Sequence, residues 1–221
     1  MNVTQRVRHS LIDSVDPKVI ASSDRFFKKG EAPKVYGVKM SEVSKIGKKN
    51  FQQIKELPKQ KIFELCEELW QSGYLEEAVV ACMWAEFLHK QYEVADFKLF
   101  EHWVYDYLTT WGACDTLCNH TIGAFIMMYT DCISELEKWG RASNRWVKRA
   151  SAVTLIIPAR RGLFLNDIFE IADILLLDKD DLVQKGYGWM LKAASETHQK
   201  EVFHYVMSKR TLMPRTALRY A

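Results

Sequence analysis

The chain has 221 residues, 48% of them hydrophobic, and a formal net charge of +3. That length suffices for one large core or a short repeat array, and 10 glycines with 5 prolines are too few for a turn-rich β protein. The mildly basic balance tolerates a nucleic-acid partner without demanding one, so the placement of charge carries any such argument.

In chain order, almost every segment reads as helix. The first spans 4–12. Asp16 then serves as an N-cap with Pro17 at the first helical position, opening a helix over 17–29. Residues 30–34 are a break and 35–38 a short extended linker. Ser41 is placed to cap a helix over 42–49. Pro58 opens the next, to about residue 72, with Ile62, Leu65, Leu69 and Trp70 at helical spacing and Gly73 ending it. Further helices are predicted over 75–89, 96–108, 113–128, 132–139, 144–157, 164–176, 180–195 and 200–207, with Pro158 ending or kinking one of them. No alternating pattern with turn chemistry on both sides competes, so the fold class is all-α.

The five cysteines, Cys66, Cys82, Cys114, Cys118 and Cys132, are odd in number, and the opening residues lack an apolar signal core. Reduced cytoplasmic thiols are expected. No run of about 18 apolar residues suggests a membrane span. Cys114 and Cys118 share a helix face with His120 nearby, but no second paired cluster accompanies them. Small buried residues are the expected role, with no metal. The other histidines, His9, His89, His102, His198 and His204, are scattered.

A lag of 36 residues aligns Ala78, Cys114, Ala150 and Gly186, all small. It also aligns Leu75, Trp111, Val147 and Val183, all apolar, and Cys82, Cys118, Thr154 and Met190. Small residues at a fixed lag let stacked helices approach closely, as in a helical solenoid. This register makes Trp111 an ordinary core residue. However, Trp111 and Asp115 are i and i+4 and share a face, and an unpaired buried carboxylate is expensive. Asp115 therefore requires either a cationic partner or a cleft. Arg145 and Arg149 share a face in the same way, with Lys148 beside them. Lys185, Trp189 and Lys192 share a third. Lags of 34 and 40 bring Asp115, Arg149 and Trp189 to comparable positions.

Three ordered motifs stand out: Trp111 four residues before Asp115; Trp146, Arg149 and Ala150; and Gln184, Lys185, Gly188 and Trp189. With Tyr36-Gly37-Val38 and the closing stretch from Pro214, they make the chain resemble the AlkD-like DNA alkylation repair family, the HEAT-like-repeat alkylpurine DNA glycosylases. Gly112 departs from the family pattern, and Ala221 falls where the family's last helix continues. The resemblance implies a right-handed α-solenoid of HEAT-like antiparallel helix pairs with a C-shaped concave surface. It implies a single domain over 1–221, with an N-terminal helical region at 1–34 and repeats at 35–221.

The function so implied is a monofunctional DNA glycosylase that hydrolyses the N-glycosidic bond of N3- or N7-alkylated purines in duplex DNA, as part of base excision repair. Asp115, Trp111 and Trp189 would be catalytic. The carboxylate would stabilise the oxocarbenium-like transition state and the indole faces would assist. Arg149, Arg145, Lys148, Lys185 and Lys192 would contact DNA phosphates. A monomer without cofactor, cytoplasmic and nucleoid-associated, completes the expectation. Two other readings stay open: a non-catalytic DNA-structure-binding paralogue, and a helical-repeat protein-binding scaffold. Phe26 and Phe27 sit near a position where the family offers an aromatic to DNA, with packing as the alternative. The Lys45, Lys48 and Lys49 run and the Arg160-Arg161 pair are read as solvated.

Overall fold

The computed structural model describes residues 2–23, 27 and 30–221. Phe26, Lys28 and Lys29, at the end of the helix expected over 17–29, lie outside them. Among the described residues there is no strand, only an isolated bridge between Lys34 and Tyr74. The chain is an all-α helical repeat of antiparallel helix pairs, in two compact units, Met1–Asp96 and Phe97–Ala221.

The first unit contains α1 (Val3–Asp13), α2 (Pro17–Ser23), α3 (Met40–Phe51), α4 (Lys59–Trp70) and α5 (Leu75–Phe87). Local chemistry sets most of their ends. The Asn2 side chain accepts from the Gln5 amide at 2.9 Å, and Gln5 accepts in return from the Asn2 amide at 3.0 Å, a reciprocal capping box. Asp16 accepts from the Lys18 amide at 2.9 Å, as expected of a cap before Pro17. Gly73 adopts φ +72° in the tight α4–α5 connection, a conformation that favours glycine. The expected cap at Ser41 is corrected: α3 starts two residues earlier than expected, with Lys39 at the N-cap and no side-chain bond there.

Two buried carboxylates on the first turn of α5 organise the linker over 35–38. Glu76 accepts from the amides of Tyr36, Gly37 and Val38 at 2.9 to 3.1 Å. Glu77 accepts from the Tyr36 hydroxyl at 2.7 Å and pairs with Arg8 at 3.0 Å. Burying these acids is tolerable because each is met by donors.

The second unit contains α6 (Phe97–Asp106), α7 (Trp111–Thr116), a π-helical segment (Leu117–Ile122), α8 (Gly123–Met128), α9 (Ile133–Gly140), α10 (Arg145–Val153), α11 (Ile156–Arg160), α12 (Leu165–Leu175), α13 (Asp181–Ser195), α14 (Gln199–Lys209) and α15 (Arg215–Tyr220). Its core is aromatic. Trp103, Trp139, Phe100 and Phe125 are fully buried, and Phe97 stacks on Trp139 with centroids 5.5 Å apart.

Two helices expected to be continuous are broken. The stretch 113–128 is interrupted by the π-helical segment. The stretch 144–157 breaks around Thr154 and Leu155, because Pro158 has no N–H for the Thr154 carbonyl and its ring disfavours the preceding helical turn. The two irregular places meet: a Cβ on Gly123 would lie 3.0 Å from the Thr154 carbonyl oxygen.

The 36-residue column of small side chains is buried. Cys114, Ala150 and Gly186 lie on α7, α10 and α13, and α10 packs against both neighbours. This seam places the candidate site.

Candidate active site

The sequence of α7 explains its start. Thr110 is extended and accepts from the Ala113 amide at 3.2 Å, so Trp111 becomes the first helical residue and Asp115 falls one turn later. Gly112 is helical, and its carbonyl accepts from the Thr116 hydroxyl at 2.8 Å. After Thr116 the backbone widens into the π-helical segment, a feature often found at functional sites. There the Asn119 side-chain amide donates to the Asp115 main-chain carbonyl at 2.9 Å.

Cys114 is fully buried at the α7–α10 contact, and its thiol faces the Trp146 carbonyl at 3.8 Å. Burial pushes that thiol well above its usual range, so it stays protonated and can donate. Cys118 is also fully buried, whereas His120 is exposed. Among the described residues no group of three His, Cys, Asp or Glu side chains is placed to hold a metal.

α10 begins at an Asn144 cap, whose side chain accepts from the Trp146 amide at 2.8 Å. Arg149 follows one turn later and is nearly sealed. Its Nε donates to Asp115 Oδ1 at 2.9 Å and its Nη2 to Oδ2 at 2.8 Å. Its Nη1 donates to the Leu182 carbonyl on α13. One guanidinium thus ties three helices together. Gly186 lies against it: a Cβ there would sit 3.4 Å from the Arg149 stem, an ordinary van der Waals contact.

The Asp115 side chain keeps 16% of its surface open, against 6% for Arg149. The acid is therefore held from behind but not enclosed. Each carboxylate oxygen carries two lone pairs, so each retains one after binding Arg149. Burial raises the carboxyl pKa above its ordinary value, while the guanidinium opposes that rise.

The remaining expected site residues are on α7, α10 and α13 of the second unit. Trp111 is partly buried, one turn before Asp115. Trp189 is partly buried on α13, in helical register with Leu182 and Gly186 (i, i+4, i+7), the two residues that meet Arg149. Four of the five expected cations are engaged by acids. Besides the Arg149–Asp115 pair, Arg145 pairs with Asp180 through Nε at 2.8 Å and Nη2 at 3.1 Å. Lys148 pairs with Asp178, and Lys185 with Asp181 at 3.3 Å. Lys192 is exposed.

Sequence reasoning missed Asp178, Asp180 and Asp181 as part of this surface. The signal was present as an acidic run before α13, but it reads as helix-cap chemistry alone. It also left Trp146 unassigned, although Arg145 lies over its ring at 5.0 Å. Elsewhere, Lys45 pairs with Glu42 and Arg160 with Glu196.

The model of the family described as DNA alkylation repair enzyme matches residues 7–221. Among solved structures, one titled "Predicted DNA alkylation repair enzyme from Enterococcus faecalis" superposes with a TM-score of 0.81. It is 17% identical, and the match covers 94% of each chain; at that identity the likeness speaks for the fold. No curated protein matches the chain. No helix among the described residues is long and apolar enough to cross a membrane.

Proposed function

Because the chain belongs to the family of DNA alkylation repair enzymes, we propose that it is a glycosylase that hydrolyses the N-glycosidic bond of N3- or N7-alkylated purines in duplex DNA. The observation that carries this reading is a partly open carboxylate, Asp115, held through both oxygens by a buried guanidinium. A partly buried indole, Trp111, stands one helical turn away from it.

The chemistry suits such a site. An N3- or N7-alkylated purine is already cationic. When its bond to C1′ breaks, the bonding electron pair moves to the base, which leaves neutral and needs no added proton. The sugar becomes an oxocarbenium ion, and water then adds to C1′ and loses a proton. The developing cation is the species to stabilise, and a pre-oriented carboxylate acts on it more strongly than on the ground state. Arg149 contributes orientation: with both oxygens held, the remaining lone pairs point in set directions without reorganisation. Trp111 and Trp189 would present their faces to the same cation, and Lys192 is the outlying cation available to a phosphate.

The test is release of the modified base from methylated duplex DNA by the purified protein, read by chromatography. Release by the wild type, with strong loss in Asp115→Asn, is expected. Duplex binding without release would instead favour the non-catalytic reading.

A further inference from the structure

The segment 178–181, ending at the first residue of α13, places three carboxylates within four residues, and each meets a cation expected to face DNA. Asp178 takes Lys148, Asp180 takes Arg145 and Asp181 takes Lys185. We propose that this acidic segment is a brake on backbone binding, holding the outer cations back from the phosphates of duplex DNA whether or not it is damaged. The inference rests on the DNA reading above.

Helical register puts these cations beside the candidate site. Arg145 precedes Arg149 by one turn on the same face of α10, and Lys185 precedes Trp189 by one turn on α13. They are not sealed off: the side chains of Lys148, Arg145 and Lys185 are 21%, 25% and 35% exposed. A polyanion can reach them, but each arrives already paired.

Two of the acids, Asp178 and Asp180, are anchored by backbone amides. Asp178 accepts from the Asp180 amide at 2.8 Å. Asp180 caps α13 by accepting from Leu182 and Val183 at 2.8 and 3.3 Å. The Gln184 side chain donates to the Asp178 carbonyl at 2.7 Å. At Lys148 and Arg145 a phosphate must therefore displace a carboxylate that backbone amides hold in place. Every duplex, damaged or not, offers the same phosphates, so this competition lowers both affinities by a common factor and leaves discrimination, a difference of affinities, to Asp115 and the indoles.

Asparagine is a clean probe, because it caps helices about as well as aspartate and removes only the charge. Asp178→Asn and Asp180→Asn are made separately, with folding checked by circular dichroism, so that one folded variant suffices. Binding to an unmodified duplex and to the same duplex carrying 7-methylguanine is measured across a sodium chloride series. Each variant is expected to bind unmodified DNA about two- to fivefold more tightly, the range for a partly exposed ion pair. Its salt slope should steepen by about 0.9 for each cation that gains a phosphate. The gain should be the same for the alkylated duplex, leaving the ratio of the two affinities unchanged, and the gain in Asp178→Asn should vanish when Lys148→Met is added. Unchanged affinity and slope in folded variants, with the wild type binding DNA, would overturn this proposal alone. No binding by wild type or variants would overturn the DNA reading and this inference with it.

Discussion

Asp115 and Arg149 are 34 residues apart in sequence, yet the guanidinium of one grips both oxygens of the other at 2.9 and 2.8 Å. The pair leaves the acid partly open and the base nearly closed. On the proposed reading, that asymmetry separates the roles: Asp115 meets the substrate and Arg149 positions Asp115.

Asp115→Asn should therefore reduce base excision by about 10²- to 10³-fold, the scale for losing one preorganised electrostatic group. Affinity for duplex DNA should hold or rise, since a negative charge leaves the surface proposed to face phosphates. Single-turnover excision alongside equilibrium binding reads both effects.

Arg149→Met should be the more damaging change to the fold. It strands a largely buried carboxylate and leaves the Leu182 carbonyl without its guanidinium donor, so a loss of about 3–5 kcal/mol is expected. Urea denaturation measures it. Adding Asp115→Leu should restore much of the stability, because an apolar pair removes the unpaired charge.

The raised pKa of Asp115 has opposite consequences for stability and activity. The folded chain binds that proton more tightly than the unfolded chain, whose carboxyl titrates near 3.8. The group's contribution to stability is therefore fully present below 3.8, and it is lost as pH rises through the higher folded value. Excision needs the ionised form and should rise through that same value. A pH profile of single-turnover excision should place its acid limb above the ordinary carboxyl value, and Asp115→Asn should abolish that limb.

Two glycines on α13, two residues apart, should respond oppositely to alanine. A Cβ on Gly188 would fall 2.7 Å from both the Ala217 carbonyl oxygen and the Tyr220 Cβ of α15. Gly188→Ala should thus lower stability by about 1–3 kcal/mol through overpacking. A Cβ on Gly186 meets nothing nearer than 3.4 Å. There the gain of up to about 1 kcal/mol in helix propensity should leave Gly186→Ala neutral or stabilising. Thermal unfolding of the two variants, side by side, distinguishes them.

In the first unit, Glu76→Ala should destabilise by about 2–4 kcal/mol. It leaves the amides of Tyr36, Gly37 and Val38 without their acceptor, and donors left unsatisfied by burial cost more than the bonds contribute when made. Chemical denaturation provides the value, and amide exchange over 36–38 should show the loss of protection locally.

Much of this molecule was legible in its residues because the relevant forces act over one helical turn. The cap at Asp16, the stop at Gly73 and the faces shared by Trp111 with Asp115 and by Arg145 with Arg149 follow from neighbours within a few positions. The lag of Cys114, Ala150 and Gly186 was legible as well, because helices of similar length stack with small residues at their contacts. The breaks flanking Gly123 and Thr154 were only partly so: Pro158 announced one, while the π-helical segment left no periodic trace.

What tertiary structure alone decided is where each charge goes. Nothing in helical periodicity tells whether Arg149 turns outward to solvent or inward to Asp115, or that Arg145 and Lys148 meet acids 35 and 30 residues away. Those pairings depend on how closely α7, α10 and α13 approach and at which rung. That spacing is a property of packed side-chain volumes across helices, and no single helix encodes it.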